Sequence, residues 1–355
     1  MIYESIINVL QPFLLLIIIT GVSLGIIWGA LPGLSTTMAM ALLIGFTSTM
    51  SQDVAICFML GVYTGSVFGG AISAILINIP GTPDAVPTMI EGHALAKKGE
   101  AGTALGTSIF GSFIGNWVGI LLLIFLMPFL IAVALKFKSW EMFLLSIIGI
   151  SVCGTMCSGE LPIKGWIVGF IGILIAMVGI DPIYGVERYT FDNPNLYDGF
   201  SYIPILIGLF GICEIIKTLP NENKSPIPKS IGKLFLPFSI LKKYVFTAFR
   251  SGLIGTFIGA LPGAGANVAS FLSYDIGRKQ ASTEERKKWG KGSYEAIVCA
   301  EVANNANIGG SMLPTLALGI PGNAAAAALL AALTMKNVVV GPTIEIDHPG
   351  LVYFI

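Results

Sequence analysis

This 355-residue sequence predicts an all-α polytopic membrane protein: an inverted repeat with discontinuous, re-entrant helices, whose second copy is incomplete. Three observations lead there. First, 54% of the residues are hydrophobic and 11% charged, whereas soluble domains carry about 25% charged residues. A mean hydropathy of +0.83 agrees. Second, apolar stretches of membrane-crossing length recur along the whole chain. Third, two proline–glycine motifs each occur twice, in the same order.

Crossing about 30 Å of hydrocarbon takes roughly 20 apolar residues. Candidate spans run over 13–31, 54–78, 105–127, 141–158, 165–180 and 201–219, and two later ones, 251–274 and 303–333, are interrupted by Pro-Gly pairs. The first basic residue is Lys97, so the N-terminus lacks the positive region of a cleavable signal. Of the 20 Lys and Arg, 13 lie between Lys217 and Lys291, while the loop 181–200 holds Asp181, Glu187, Asp192 and Asp198 against Arg188 alone. Basic loops stay cytoplasmic, which puts 217–250 and 278–291 inside and 181–200 outside. The stretch 251–274 then starts and ends inside, and it is too short for two crossings. A re-entrant pair of half-helices fits it, and such backbone survives at membrane depth where it packs on protein or lines a polar cavity.

Gly25-x3-Gly29-Ala30-Leu31-Pro32-Gly33 recurs as Gly255-x3-Gly259-Ala260-Leu261-Pro262-Gly263, an offset of 230. Gly69-Gly70…Ile79-Pro80-Gly81 recurs as Gly309-Gly310…Ile320-Pro321-Gly322, offset by 240 and 241. The chain therefore reads as a duplication: a first membrane repeat over 1–219, a basic connector over 220–250 and a second repeat over 251–355 that stops in mid-copy. The loop after the first Ile-Pro-Gly carries Lys97 and Lys98, and that after the second carries Glu345 and Asp347. Opposite charge at matching positions predicts inverted topology, as in secondary transporters.

Proline removes a donor and glycine permits positive φ, so each pair ends a helix within the bilayer. Small polar residues flank the breaks: Ser35, Thr36 and Thr37 after Pro32-Gly33; Asn78, Thr82 and Asp84 around Pro80-Gly81; Gly265 and Asn267 after Pro262-Gly263; and Asn304, Asn305 and Asn323 around Pro321-Gly322. Exposed half-helix N-termini suit a carboxylate, and unwound carbonyls with Ser, Thr and Asn oxygens suit Na⁺. These residues form the candidate substrate and ion site. Asp84 has two readings, ion or proton coupling and a cap on the half-helix that starts near Ala85. Glu214 and Glu301 lie near predicted span ends and are expected to snorkel or pair. The run Ala324–Ala328 is a close-packing helix. Residues 229–250 form either a basic amphipathic helix on the inner surface or a charged linker.

Other classes of function find little support. Lys+Arg and Asp+Glu are balanced at 20 each, which leaves no basic face for nucleic acid. Cys57, Cys153, Cys157, Cys213 and Cys299 sit in apolar stretches and imply neither disulfides nor a metal. His93 and His348 fall in no ligand spacing, and no Walker loop or G-x-S-x-G elbow occurs, so the chain is read as no enzyme with no cofactor beyond a coupling cation, Na⁺ or H⁺. A channel-like pore with a re-entrant filter and a non-transporting scaffold are the alternatives.

Several motifs together resemble the TctA family, the large membrane subunit of tripartite tricarboxylate transporters. They are Gly29-Ala30-Leu31-Pro32-Gly33, Ile79-Pro80-Gly81-Thr82-Pro83-Asp84-Ala85-Val86-Pro87-Thr88 leading into Glu91-Gly92-His93, Gly179-Ile180-Asp181-Pro182, Gly259-Ala260-Leu261-Pro262-Gly263-Ala264-Gly265, Glu301-Val302-Ala303-Asn304-Asn305-Ala306 and Leu318-Gly319-Ile320-Pro321-Gly322. The resemblance implies a cation-driven importer of carboxylates such as citrate, in a prokaryotic cell (inner) membrane. Its implied partners are a small four-helix membrane subunit, a periplasmic or extracellular solute-binding protein and the lipid bilayer. By fold-level analogy it also implies an elevator-like motion of the motif-bearing helices. Members of the family usually run well past residue 355.

Overall fold

The computed structural model describes residues 2–136, 162–181, 186–200, 231–234 and 242–355, with isolated positions between 138 and 147 and between 205 and 216. The predicted spans 141–158 and 201–219, with Cys153, Cys157, Cys213, Glu214 and most of the connector, lie largely or wholly outside these described residues.

The described chain is mostly helical. The first half holds α1 (Ile2–Val9), α2 (Pro12–Ala30), α3 (Thr36–Thr47), α4 (Gln52–Ile77), α5 (Val86–Lys97), α6 (Ala101–Ala134) and α7 (Pro162–Ala176). A two-stranded antiparallel ribbon follows, β1 (Gly179–Ile180) with β2 (Glu187–Arg188), tied by an Arg188–Asp181 ion pair at 3.2 Å. The second half holds α8 (Val245–Gly259), α9 (Gly265–Gln280), α10 (Thr283–Arg286), α11 (Tyr294–Leu318), α12 (Ala324–Met335), α13 (Ile344–Asp347) and α14 (Leu351–Phe354). Among the described residues, α2, α4 and α6 are each long and apolar enough to cross a membrane.

Their outer faces carry large apolar side chains into the surroundings: Phe13, Leu16, Ile19 and Ile27 on α2, and Phe125 and Phe129 on α6. Water would make such faces costly, whereas lipid makes them neutral, so helix association must come from close packing. Glycines provide it. Gly21, Gly25 and Gly29 recur every four residues along α2 and meet Gly61, Gly65 and Gly69 on α4. A Cβ on Gly25 would lie 2.5 Å from the Val62 carbonyl oxygen, and one on Gly65 would lie 2.3 Å from that of Val22. The same device joins α8 to α11, where a Cβ on Gly255 would lie 2.2 Å from the Ala303 oxygen. Along α6, Gly111, Gly115 and Gly119 admit α11 just as closely.

The duplicated motifs therefore pack alike: α2 and α4 in the first half correspond to α8 and α11 in the second. The agreement reaches the second glycine of each motif. A Cβ on Gly81 would stand 2.0 Å from the Gly29 oxygen, and one on Gly322 would stand 2.7 Å from the Gly259 oxygen. The main apolar core lies between the two halves, with Met40, Ile44 and Met59 meeting Met127, Met312, Leu316 and Leu329.

Helix α11 differs from an ordinary span. It begins at Tyr294, nine residues before the predicted start at 303, and is enclosed by α5, α6, α8 and α9. Glu301, Asn304, Asn305, Asn307, Ser311 and Thr315 on it are all fully buried. Of the two expectations for Glu301, snorkelling at a span end is corrected, and pairing is what the structure shows, with hydroxyls as the partners. Its carboxylate accepts from Thr88 Oγ1 at 2.5 Å and Ser112 Oγ at 3.2 Å. The reason is tertiary: the helix on which it rides has no lipid-facing side, so its polar groups must find partners inside the protein.

Candidate functional site

Each Pro-Gly pair interrupts a helix and starts another. After α2, Gly33 takes φ +88° and Ser35 caps α3 by accepting from Met38 N at 3.2 Å. After α4, Asn78 closes the helix in the left-handed region at φ 57°, and a 3₁₀ turn over Pro83–Ala85 leads into α5. After α8, Gly263 and Gly265 have φ +82° and +70°, and α9 starts at once. After α11, Gly319 is left-handed and Asn323 caps α12, accepting from Ala326 N at 2.9 Å. The corners also bond to one another or to neighbouring helices: Gly81 N donates to the Gly70 oxygen at 3.2 Å and Gly263 N to the Gly322 oxygen at 2.9 Å.

The four restarted helices begin around one cavity of about 180 Å³. Ser35, Thr36 and Thr37 come from α3, Pro83 and Asp84 from the 3₁₀ turn, Gly265, Ala266 and Asn267 from α9, and Asn323, Ala324 and Ala325 from α12. The helix starts of α3, α9 and α12, with their N–H groups and partial positive charge, thus border one small volume beside the 3₁₀ turn that carries Asp84. The start of α9 has no side-chain cap, so its donors remain available to a guest anion, whereas the 3₁₀ turn begins at Pro83, which has no N–H, and Ala85 N there already donates to the Thr82 oxygen at 3.0 Å.

Of the predicted site residues, the cavity brings together Ser35, Thr36, Thr37, Asp84, Gly265, Asn267 and Asn323. Thr82 and Asn304 lie buried beside Asp84 behind the wall. Pro32, Gly33, Pro80, Gly81, Pro262, Gly263 and Gly322 shape the corners and do not line the cavity, and Pro321 borders a separate apolar cleft next to α12. Asn78 is spent on its left-handed cap and is exposed. Asn305 turns toward α6, bonding Ser112 Oγ at 2.9 Å and facing Asn116 at 3.3 Å. The capping role considered for Asp84 is not realised: neither the 3₁₀ turn nor α5 has a side-chain cap bond, and Asp84 Oδ2 has no hydrogen-bond partner.

Sequence reading missed Tyr63. It lies mid-way along α4, far from any break, yet its hydroxyl reaches the cavity wall. Tyr63 Oη donates to Asn323 Oδ1 at 3.1 Å or receives from Asn323 Nδ2 at 2.8 Å, and stands 3.3 Å from Ser311 Oγ. Asn323 Nδ2 also donates to Asn307 Oδ1 at 3.1 Å. One asparagine therefore caps α12 and joins it to α4 and α11. Asn323→Ala is expected to cost about 2 kcal/mol, the upper range for a lost cap, with Asn323→Ser recovering most of it in thermal unfolding.

Comparison with known proteins now bears on this geometry. The family model described as "Tripartite tricarboxylate transporter TctA family" matches residues 15–355. An uncharacterized 52.8 kDa protein in the TAR-I ttuC' 3' region of Agrobacterium vitis is 35% identical over 333 residues, covering 93% of this chain and 66% of that protein. An uncharacterized protein in the TAR-II ttuC' 3' region of the same organism is 33% identical over 97 residues, covering 27% of this chain and 39% of that protein. The chain thus spans just under two thirds of the length of the first relative and less of the second. No solved structure matches it. The Pro-Gly breaks and the buried polar helix fall within the matched residues, and the chain belongs to the tripartite tricarboxylate transporter TctA family.

Proposed function

We propose that this chain is the permease subunit of a cation-gradient-driven secondary transporter that imports carboxylates of the tricarboxylate type. Its family consists of transporter components and not of enzymes. In this reading a solute-binding protein delivers the substrate outside a prokaryotic inner membrane, and a small four-helix membrane subunit completes the assembly. The two repeats are inverted, the stretch from α8 to α9 is re-entrant, and the duplicated units move against the rest.

The observation that carries the proposal is the cavity walled by three helix starts and the 3₁₀ turn. Its volume of about 180 Å³ is well above what a single water needs, room for a small carboxylate. Oriented N–H groups stabilise the anion without a fixed cation, and Ser35, Thr37 and Asn267 add neutral polar contacts. Discontinuous helices meeting between internal repeats are the arrangement found where transporters bind their cargo.

The test is uptake into proteoliposomes holding the assembled transporter, screened over mono-, di- and tricarboxylates with and without a Na⁺ gradient. Accumulation above the outside concentration, abolished by a cation ionophore, is expected. Equilibration without accumulation would indicate a pore instead. Ser35→Ala combined with Asn267→Ala should raise the half-saturating carboxylate concentration by about tenfold or more, equal to about 1.4 kcal/mol, with insertion unchanged.

A further inference from the structure

Behind the cavity wall lies a group of polar atoms that the anion reading leaves unused. Thr82, Asp84 and Asn304 are 1%, 6% and 0% exposed. Thr82 and Asn304 stand within polar-contact reach of the Asp84 carboxylate, yet Thr82 Oγ1, Asp84 Oδ2 and both side-chain polar atoms of Asn304 make no hydrogen bond of normal distance and angle. Among the described residues, every ion pair involves other acids. Buried polar groups are nearly always satisfied, and an unpaired buried carboxylate is costlier still. Glu301 is no competitor for the role, because Thr88 and Ser112 already occupy its oxygens.

Resting on the carboxylate-transport reading, we propose that Thr82 Oγ1, Asp84 Oδ2 and Asn304 Oδ1 form a binding site for a monovalent cation of Na⁺ size, adjacent to the substrate cavity. The donor set is all oxygen, the preference of hard cations, with a single formal negative charge to match a single positive one. A proton on Asp84 would give one O–H donor, enough for one neighbouring oxygen at a time. A metal cation contacts all three oxygens at once.

The site and the cavity share Asp84, which gives the coupling its physical basis. With the site empty, the carboxylate of Asp84 repels an incoming anion from the helix starts around it. With the cation bound, that charge is cancelled and the helix N-termini dominate. The bound cation therefore strengthens carboxylate binding. By reciprocity the carboxylate tightens cation binding by the factor that the cation tightens carboxylate binding.

Thermal unfolding of the purified chain in detergent tests this, with NaCl titrated against choline chloride or KCl at constant ionic strength. A saturable rise in Tm specific to Na⁺ is expected in the wild type. Asp84→Asn and Asn304→Ala should abolish it. Thr82→Ser should keep it, while Thr82→Val should raise the half-saturating Na⁺ concentration by about tenfold, as for one lost polar contact. The Thr82 pair decides the matter if Asp84→Asn fails to fold. Ser35→Ala should retain the Na⁺ response and weaken only the further rise produced by citrate. If citrate gives no rise in the wild type while the Na⁺ response still depends on Asp84, the cation site stands and the carboxylate reading fails. The proposal is overturned if Na⁺ gives no specific rise, if the rise survives both Asp84→Asn and Asn304→Ala, or if lowering the pH reproduces it without Na⁺.

Discussion

Gly81→Ala is expected to abolish uptake and to destabilise the chain by about 3 kcal/mol, the upper end for inserting a methyl group into a filled site. The added Cβ would fall 2.0 Å from the Gly29 oxygen, 2.8 Å from Ser73 Oγ and 2.9 Å from the Gly70 Cα. Two of those neighbours are backbone of α2 and α4, which glycine contacts have already drawn together, so neither helix can yield alone. The bilayer insertion signal is untouched, because the apolar length of α4 is unchanged. Gly45→Ala is the matching control: nothing lies within 4 Å of its added Cβ. Being inside α3, it should hold or raise stability by up to about 1 kcal/mol through helix propensity. Thermal unfolding and uptake measured on both variants check the pair, and equal behaviour would contradict the packing described for the Pro-Gly corner.

Glu91→Ala should cost about 4 kcal/mol or more. Glu91 is fully buried on α5, and its carboxylate gathers four donors. Tyr274 Oη reaches Oε1 at 2.7 Å and Gly290 N at 2.5 Å, while Gly292 N and Ser293 N reach Oε2 at 3.0 and 2.9 Å. Three of these are backbone amides just ahead of α11, where negative charge also meets the positive helix end. Truncation strands the buried amides of Gly292 and Ser293, each costing about 1–3 kcal/mol, and also removes the acceptor of the half-buried Tyr274 hydroxyl and the exposed Gly290 amide. Since α11 carries Glu301, Asn304 and Asn305, its start must be held for the polar interior to keep register. Glu91→Gln, with one acceptor oxygen left, should fall between wild type and alanine in thermal unfolding. A loss below about 1 kcal/mol for alanine would mean that other contacts hold this junction.

What could be read from sequence was whatever the backbone itself dictates. Pro and Gly act locally, so Pro32-Gly33, Pro80-Gly81, Pro262-Gly263 and Pro321-Gly322 announced the breaks. Ser35 and Asn323 were read only as site residues, and the structure gives them a second role as caps of α3 and α12. Depth inside the assembly was not legible. Glu301 looked peripheral because the apolar stretch around it was read as starting at residue 303, yet the glycine ridge of α6 covers it completely. Glu91 stood in a family motif but its role gave no signal, since its partners lie about 200 residues away in sequence. Tyr63 was hidden for a similar reason: its relation to Asn323 exists only once α4 meets α12. Asn78 misled in the other direction. Its position beside Pro80 suggested a ligand, but asparagine tolerates the left-handed conformation that ends α4.

Cysteine accessibility at the convergence point gives the most direct test of a shared wet chamber among the helix starts. Ser35→Cys and Asn267→Cys, introduced singly into a background free of other cysteines and assembled in membranes, should react with a charged, water-borne thiol reagent. Citrate with Na⁺ should protect both positions together, because residues from opposite halves of the chain face the same 180 Å³ volume. If neither position reacts, or if both react at rates that no carboxylate alters, the helix starts do not enclose a carboxylate-binding cavity.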